Sequence, residues 1–229
     1  MRAFLLAACP FLLPFFFLFH LCFTVLLLRR YRQKRETFCL LAGLVTLGLC
    51  LDADVLALGT AVDEGPLLQT LSRLRFLSHG ILIPLLFPIC AETLGFGKRL
   101  RTAVWILTAA LMLLGAAEAI ATVLEPRELA GVCRYAAADA TPGWARTVSQ
   151  ALSFGTVLPL ILTGVVVLIR QKTPALLLGG FLMFAFSALG PATGNTDLIF
   201  LISMFGEAFM VLGFYLLAVG KRRTTRSGK

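Results

Sequence analysis

Charge is scarce in this 229-residue sequence, and histidine scarcer still. Asp, Glu, Lys and Arg together make up 14% of the chain, and His20 and His79 are its two histidines. So little charge, beside 59% apolar residues and a mean hydropathy of +0.89, lies far outside the range of soluble domains and marks a polytopic membrane protein. Two histidines rule out the three-histidine zinc site used by some seven-helix intramembrane hydrolases. The six cysteines (9, 22, 39, 50, 90 and 133) show no CxxC and no Cys/His spacing. Most lie inside apolar runs, where a thiol behaves as a small hydrophobe. Lysine is missing from the interior of every apolar run: Lys34, Lys98, Lys172, Lys221 and Lys229 sit at or beyond run ends, which excludes a retinal Schiff base. Period-two alternation is missing too, and with it an outer-membrane barrel.

What is present is a series of continuous apolar runs. Crossing a hydrocarbon core takes about 20 apolar residues in a helix, and seven stretches approach that length: about 3–28, 38–60, 69–94, 102–124, 148–169, 174–192 and 197–219. The expectation is an all-α integral membrane protein, a seven-transmembrane-helix bundle forming one domain over 1–220, with a basic tail over 221–229. Near the amino terminus, Leu6-Ala7-Ala8-Cys9 matches a lipoprotein box. The apolar stretch before Cys9 is too short for a signal core, and the run continues to Leu28, so an uncleaved first helix is expected. A Cys9–Cys133 bridge is the one disulfide the arrangement suggests, provided the two Cα atoms approach within about 7 Å.

Basic residues set the orientation, because short loops rich in Lys and Arg stay cytoplasmic. Arg29, Arg30, Arg32, Lys34 and Arg35 lie between spans one and two, Lys98, Arg99 and Arg101 between three and four, and Arg170 and Lys172 between five and six. The tail adds Lys221, Arg222, Arg223, Arg226 and Lys229. The opposite loops hold acids: Asp63, Glu64, Glu125, Glu128, Asp139 and Asp197. This places the N-terminus outside and the C-terminus in the cytoplasm, with the bacterial inner membrane, a plasma membrane, as the location. It also assigns the net charge of +9 to topology and anionic lipid rather than to nucleic acid. Spans one to three and five to seven share an orientation, the pattern of a three-plus-one-plus-three parallel repeat.

Ionisable residues within the spans fall in one layer. Counting about 1.5 Å per residue from the outer ends, Asp52 and Asp54, Arg75 and His79, Glu118, and Glu207 come out about 9–17 Å deep. Span five adds Gln150 and Ser153. A charge at mid-bilayer costs about 2.5–3.5 kcal/mol on insertion scales, so such groups turn inward and pair. Arg75 and His79 share a helix face with Ser72, which should meet Asp52, Glu118 and Glu207. Asp54, two residues from Asp52, should point to the outer interface, and Arg73, about 200° round from Arg75, should snorkel. Pro84 and Pro88 should bend span three below His79, and Gly190-Pro191 and Gly194-Asn195 should end span six abruptly. An outward-facing polar pocket between spans two, three, four and seven results.

The pocket suggests a small ligand, anionic if Arg75 grips it, bound for transport or sensing with protons exchanged at Glu207 and Asp52. Its candidate ligand-binding residues are Asp52, Arg75, His79, Glu118 and Glu207; neither a cofactor nor a resident metal is implied, and membrane lipid is the expected surrounding partner. The alternatives are an intramembrane enzyme on a lipid or lipid-linked substrate, a carboxylate-rich divalent-ion site with His79 as its one nitrogen ligand, and a scaffold whose charges are ion pairs only. In the enzyme reading His79 is the general base, Asp52 orients it, and Ser78 or water is the nucleophile. Ser78 is poorly placed for that role, about 100° round the helix from His79.

Overall fold

The structure, a computed structural model, describes residues 2–193 and 199–226, with side chains over 7–189 and 200–220. Gly194, Asn195 and Asp197 lie outside the described residues. Eight α-helices and one β-hairpin follow in chain order: α1 (Arg2–Lys34), α2 (Thr37–Leu58), α3 (Pro66–Leu82), α4 (Leu86–Leu94), α5 (Lys98–Ala121), β1 (Leu124–Leu129), β2 (Val132–Ala137), α6 (Gly143–Gln171), α7 (Ala175–Thr193) and α8 (Ile199–Arg226). A short 3-10 turn, Ile83–Leu85, joins α3 to α4, and the two helices together make the third span. Among the described residues six helical segments are long and apolar enough to cross a membrane, and the apolar part of α7, Ala175–Leu189, is shorter. The chain is a helical multi-pass membrane protein.

Local chemistry sets the ends. The turn after α1 places Arg35 at φ 55°, α4 stops at Gly95 (φ 69°) and α6 at Lys172 (φ 55°), so each of these three basic turns contains a left-handed residue that ends its helix. Hydrophobicity did not mark these ends. α1 continues six residues beyond Leu28, through Arg29, Arg30 and Arg32, because arginine is a good helix former once the chain has left the apolar layer. α3 starts at Pro66, three residues early, since proline suits the first helical position. Pro84 falls in the 3-10 turn and Pro88 in α4, where a missing backbone donor loosens the helix just below His79.

The segment between α5 and α6 holds the two strands. β1 and β2 pair antiparallel from Leu124↔Ala137 to Leu129↔Val132. Ala130 (φ 56°) and Gly131 (φ 71°) form a two-residue turn with both central residues left-handed, the form that matches the twist of paired strands. The hairpin then sits on the bundle. Cys133 N donates to Gly59 O at 2.8 Å, and Tyr135 is buried with Val55 and Leu68. The bundle therefore has a hairpin end and an opposite, basic end.

Two apolar clusters hold the helices together. One near the hairpin joins Leu13 and Phe16 of α1 to Leu56, Val132, Leu201 and Met204. The larger one includes Leu27, Phe38, Leu49, Leu86, Leu160 and Phe214. α7 packs between α6 and α8, and α1 against α2 and α8. Ile106, Leu113 and Ile120, seven residues apart on α5, point outward and are exposed, as a lipid-facing stripe should be. α3 and α5 cross at two glycines. A Cβ on Gly80 would lie 2.5 Å from the Gly115 carbonyl oxygen, so backbone meets backbone there. Cys9 and Cys133 are both free thiols, so the considered bridge is not formed.

Candidate functional site

A cavity of about 620 Å³ lies inside the bundle, and all five candidate residues, Asp52, Arg75, His79, Glu118 and Glu207, line it. Each arrives from a different place on the backbone. Asp52 comes from the last two turns of α2, Arg75 and His79 from one face of α3, Glu118 from the end of α5, and Glu207 from the middle of α8. Ala137 of the hairpin closes part of the rim, and α6 and α7 contribute Ser149, Gln150, Ser153 and Ser187. Elsewhere the wall is apolar, with Leu56, Ile83, Leu86, Val157, Met183 and Met210.

Arg75 is already engaged on several sides. Its Nε lies 3.5 Å from Asp52 Oδ1, its Nη2 donates to Tyr135 O at 3.3 Å, and its guanidinium stands 5.0 Å from the centre of the Phe76 ring. The arginine expected to grip an anion is thus shared with Asp52 and with the backbone of the hairpin. An ion pair this deep in an apolar bundle holds α2 and α3 in register, and the bond to Tyr135 ties the hairpin to both. Asp54 is half-buried and is not part of the cavity wall, which separates the two neighbouring aspartates as their spacing predicted.

Arg73 departs from expectation. Instead of reaching the interface it donates from Nη1 to Ala119 O at 2.8 Å and to Thr122 O at 2.5 Å. The last carbonyls of a helix have no intrahelical donor and carry partial negative charge, and the glycine crossing brings this arginine within reach of them. Glu118 is buried rather than solvated. Thr122 Oγ1 donates to its Oε1 at 3.2 Å and to its main-chain oxygen at 2.9 Å.

Glu207 contrasts with both. It is 4% exposed, and its Oε2 has no hydrogen-bond partner among the described residues. His79 is half-buried, one turn along α3 from Arg75. Ser78, with water one of the two nucleophiles of the enzymatic alternative, is not part of the cavity wall. Its Oγ donates to Arg75 O at 2.9 Å on its own helix. With Asp52 also committed to Arg75, the Ser78, His79 and Asp52 arrangement is not assembled. No three His, Cys, Asp or Glu residues gather at metal-binding spacing among the described residues, which removes the support for a divalent site around His79.

His20, the other histidine, lies apart from the cavity wall. It is fully buried between Phe16 and Phe19, with neither ring nitrogen hydrogen-bonded among the described residues. Glu92 is far from the site as well, paired with Arg101 at 3.3 Å. A second cavity of about 320 Å³ opens between the end of α2 and the hairpin, lined by Asp63, Glu64, Arg127, Glu128 and Cys133 among others. Burial, then the negative charges of Glu64, Glu128 and Asp63, push the Cys133 thiol above its usual range.

Sequence reasoning missed the hairpin carbonyl that Arg75 uses, together with Ser149, Ser187 and Ser203 of the wall. Part of this was open to reading. Ser149 and Ser153, and likewise Ser203 and Glu207, are four residues apart and so share helix faces. Ala130-Gly131 before a Val, Cys, Arg, Tyr run is a hairpin signal hidden by the acids and proline around it. No protein-family model matches the chain, and no curated protein matches it in sequence.

Proposed function

We propose that the cavity binds a small charged ligand, as the site of a carrier or sensor, and that binding is linked to proton exchange at Glu207. The observation behind this reading is Glu207 itself, a buried carboxylate on the cavity wall whose Oε2 lacks a partner. A buried polar atom that only holds a bundle together is expected to be hydrogen-bonded. One that is not, facing a space of this size, awaits either a proton or a ligand. On this reading the hairpin end faces the exterior, because the turns at the other end carry the basic residues. A bacterial inner membrane is the location that fits.

The scaffold reading accounts for the Arg75–Asp52 pair but leaves Glu207 unexplained. The enzyme reading is left with water as its nucleophile, because the Ser78 hydroxyl is bonded to its own helix. The test is a thermal-shift screen of the purified protein against amines, carboxylates, inorganic phosphate and lipids across pH, since only a binder of the folded state raises Tm. Stabilisation by any hit should disappear in Ser187→Trp and Ser153→Trp, which fill the cavity, and persist in Leu162→Trp on the exposed side of α6. If hits survive the filling variants, or if no class of compound raises Tm, this function is wrong.

A further inference from the structure

The sign of the ligand follows from the balance of charge on the cavity wall. Among the described residues three carboxylates line it, on Asp52, Glu118 and Glu207, against Arg75 as the one arginine or lysine. Arg75 is held by Asp52, Tyr135 O and Phe76, and Glu118 is bonded to Thr122. That leaves Glu207 as the acid with an unused oxygen. The titratable and charged groups around it are Asp52 on α2, Arg75 and His79 on α3, and Glu118 on α5. His20 on α1 is off the wall, and α7, which packs along α8, carries none.

An anion entering this space would meet surplus acid, with Arg75 already shared with Asp52 through Nε and with Tyr135 O through Nη2. A cation would meet Glu207, the acid of the wall that has an oxygen without a partner among the described residues. Metal spacing is absent among the described residues, and most of the remaining wall is aliphatic or aromatic, including Phe154 and Val157 on α6 and Met183 and Met210 on α7 and α8. The volume lies within the range of about 300–1,000 Å³ typical of pockets for small organic molecules.

Building on the ligand-binding role of this cavity, we propose that it takes an organic cation, an ammonium group with an apolar body, whose charge pairs with the Glu207 carboxylate in exchange for a proton. The exchange balances one for one. With the site empty the carboxyl O–H bond is intact. When the ammonium enters, that bond breaks, the proton leaves to solvent, and a carboxylate–ammonium pair takes its place. The apolar body lies along the Val157, Met183 and Met210 wall. Charge in the cavity is unchanged by the exchange, which keeps either state tolerable inside an apolar bundle.

Two matched sets of probes test this: butylammonium, butanol and butyrate, and benzylammonium, benzyl alcohol and benzoate. Each is titrated against the full-length purified protein in neutral detergent, with Tm as the readout, at pH 8 and at steps down to pH 5.5. The ammonium members should raise Tm saturably at pH 8, and the alcohols and carboxylates should not. The apparent affinity of the ammonium should fall by about tenfold per pH unit wherever one proton must leave on binding. Glu207→Gln should lose the ammonium effect. Should that variant not fold, Ser203→Phe, which narrows the cavity one turn away on α8, and the pH slope of the native protein still decide. Stabilisation by the carboxylates and not the ammoniums overturns the cation assignment while leaving the cavity a ligand site. Stabilisation by ammoniums that is unchanged in Glu207→Gln and flat with pH overturns it too. If no probe of any charge acts, the cation assignment falls, and if the wider screen is also silent, so does the ligand-binding role.

Discussion

The cavity has two walls built on different plans. On the α3 wall the charge is saturated: Arg75 meets Asp52, a hairpin carbonyl and an aromatic face, and its neighbour Arg73 caps the end of α5. On the α8 wall Glu207 is as deeply buried and keeps an oxygen with no partner among the described residues. Both are costly groups in a membrane, and on the α3 wall the protein itself meets the cost. A charge whose partners are all built in fixes structure. A charge whose partner is missing is where exchange can occur.

The largest expected effect comes from breaking the saturated wall. Arg75→Leu leaves the half-buried Asp52 without its cation and the hairpin without one of its anchors, and should cost about 3 kcal/mol, read from unfolding of the purified protein. Adding Asp52→Asn to the same chain should return most of the loss. If Arg75→Leu is no less stable than the native protein, the contrast between the walls is not real.

Next in size is the contact that sets the α3 wall in place. Gly115→Val puts a branched side chain where the Gly80 backbone lies. It should cost about 1–3 kcal/mol, and it should also weaken the Arg73 cap, because α3 and α5 must part. The hairpin comes third. Gly131 sits at φ 71°, so Gly131→Ala strains the turn by about 1–2 kcal/mol. Hydrogen exchange should quicken in β1 and β2 and change little in the α6 to α8 helices.

A smaller effect concerns Cys133 at the rim. Its thiol is held above the usual range by burial and by Glu64, Glu128 and Asp63, so less of it is thiolate at neutral pH. A membrane-impermeant maleimide should label it slowly at pH 7 and faster as pH rises, and Glu64→Gln with Glu128→Gln should speed labelling by a few-fold at pH 7. Labelling from outside intact cells would also place the hairpin end at the exterior, and labelling only after lysis would reverse the proposed orientation. Smallest of all is Glu207→Gln. With the site empty, the change replaces one neutral polar group by another of the same shape at a position where Oε2 has no partner among the described residues, so unfolding stability should shift by less than about 1 kcal/mol. A loss as large as that of Arg75→Leu would show that Glu207 has a structural partner after all and would erase the difference between the walls.

Much of this arrangement was legible in the chain. The apolar runs located the six long apolar helices and the shorter α7, the basic turns marked one end, and the residues expected at one depth, Asp52, Arg75, His79, Glu118 and Glu207, line one cavity. Pro84 and Pro88 gave the break in the third span. The misreadings share a cause. The partner of Arg73 is a set of carbonyls on α5, and one partner of Arg75 is a carbonyl of the hairpin; backbone acceptors are present at every residue, so no pattern of side chains points to them. The helix ends were missed because hydrophobicity reports the membrane, while helices stop at backbone turns such as those at Arg35 and Gly95.

By itself, then, the sequence determined that this chain lives in a membrane as a bundle of helices and which ionisable groups share a depth, because solvation in lipid is decided residue by residue and accumulates along the chain. Which of those groups is satisfied was decided only by tertiary structure. Pairing depends on distances of 3–4 Å between elements far apart in sequence, and the fold spends Arg75 on Asp52 and Tyr135 while leaving Glu207 facing the open cavity.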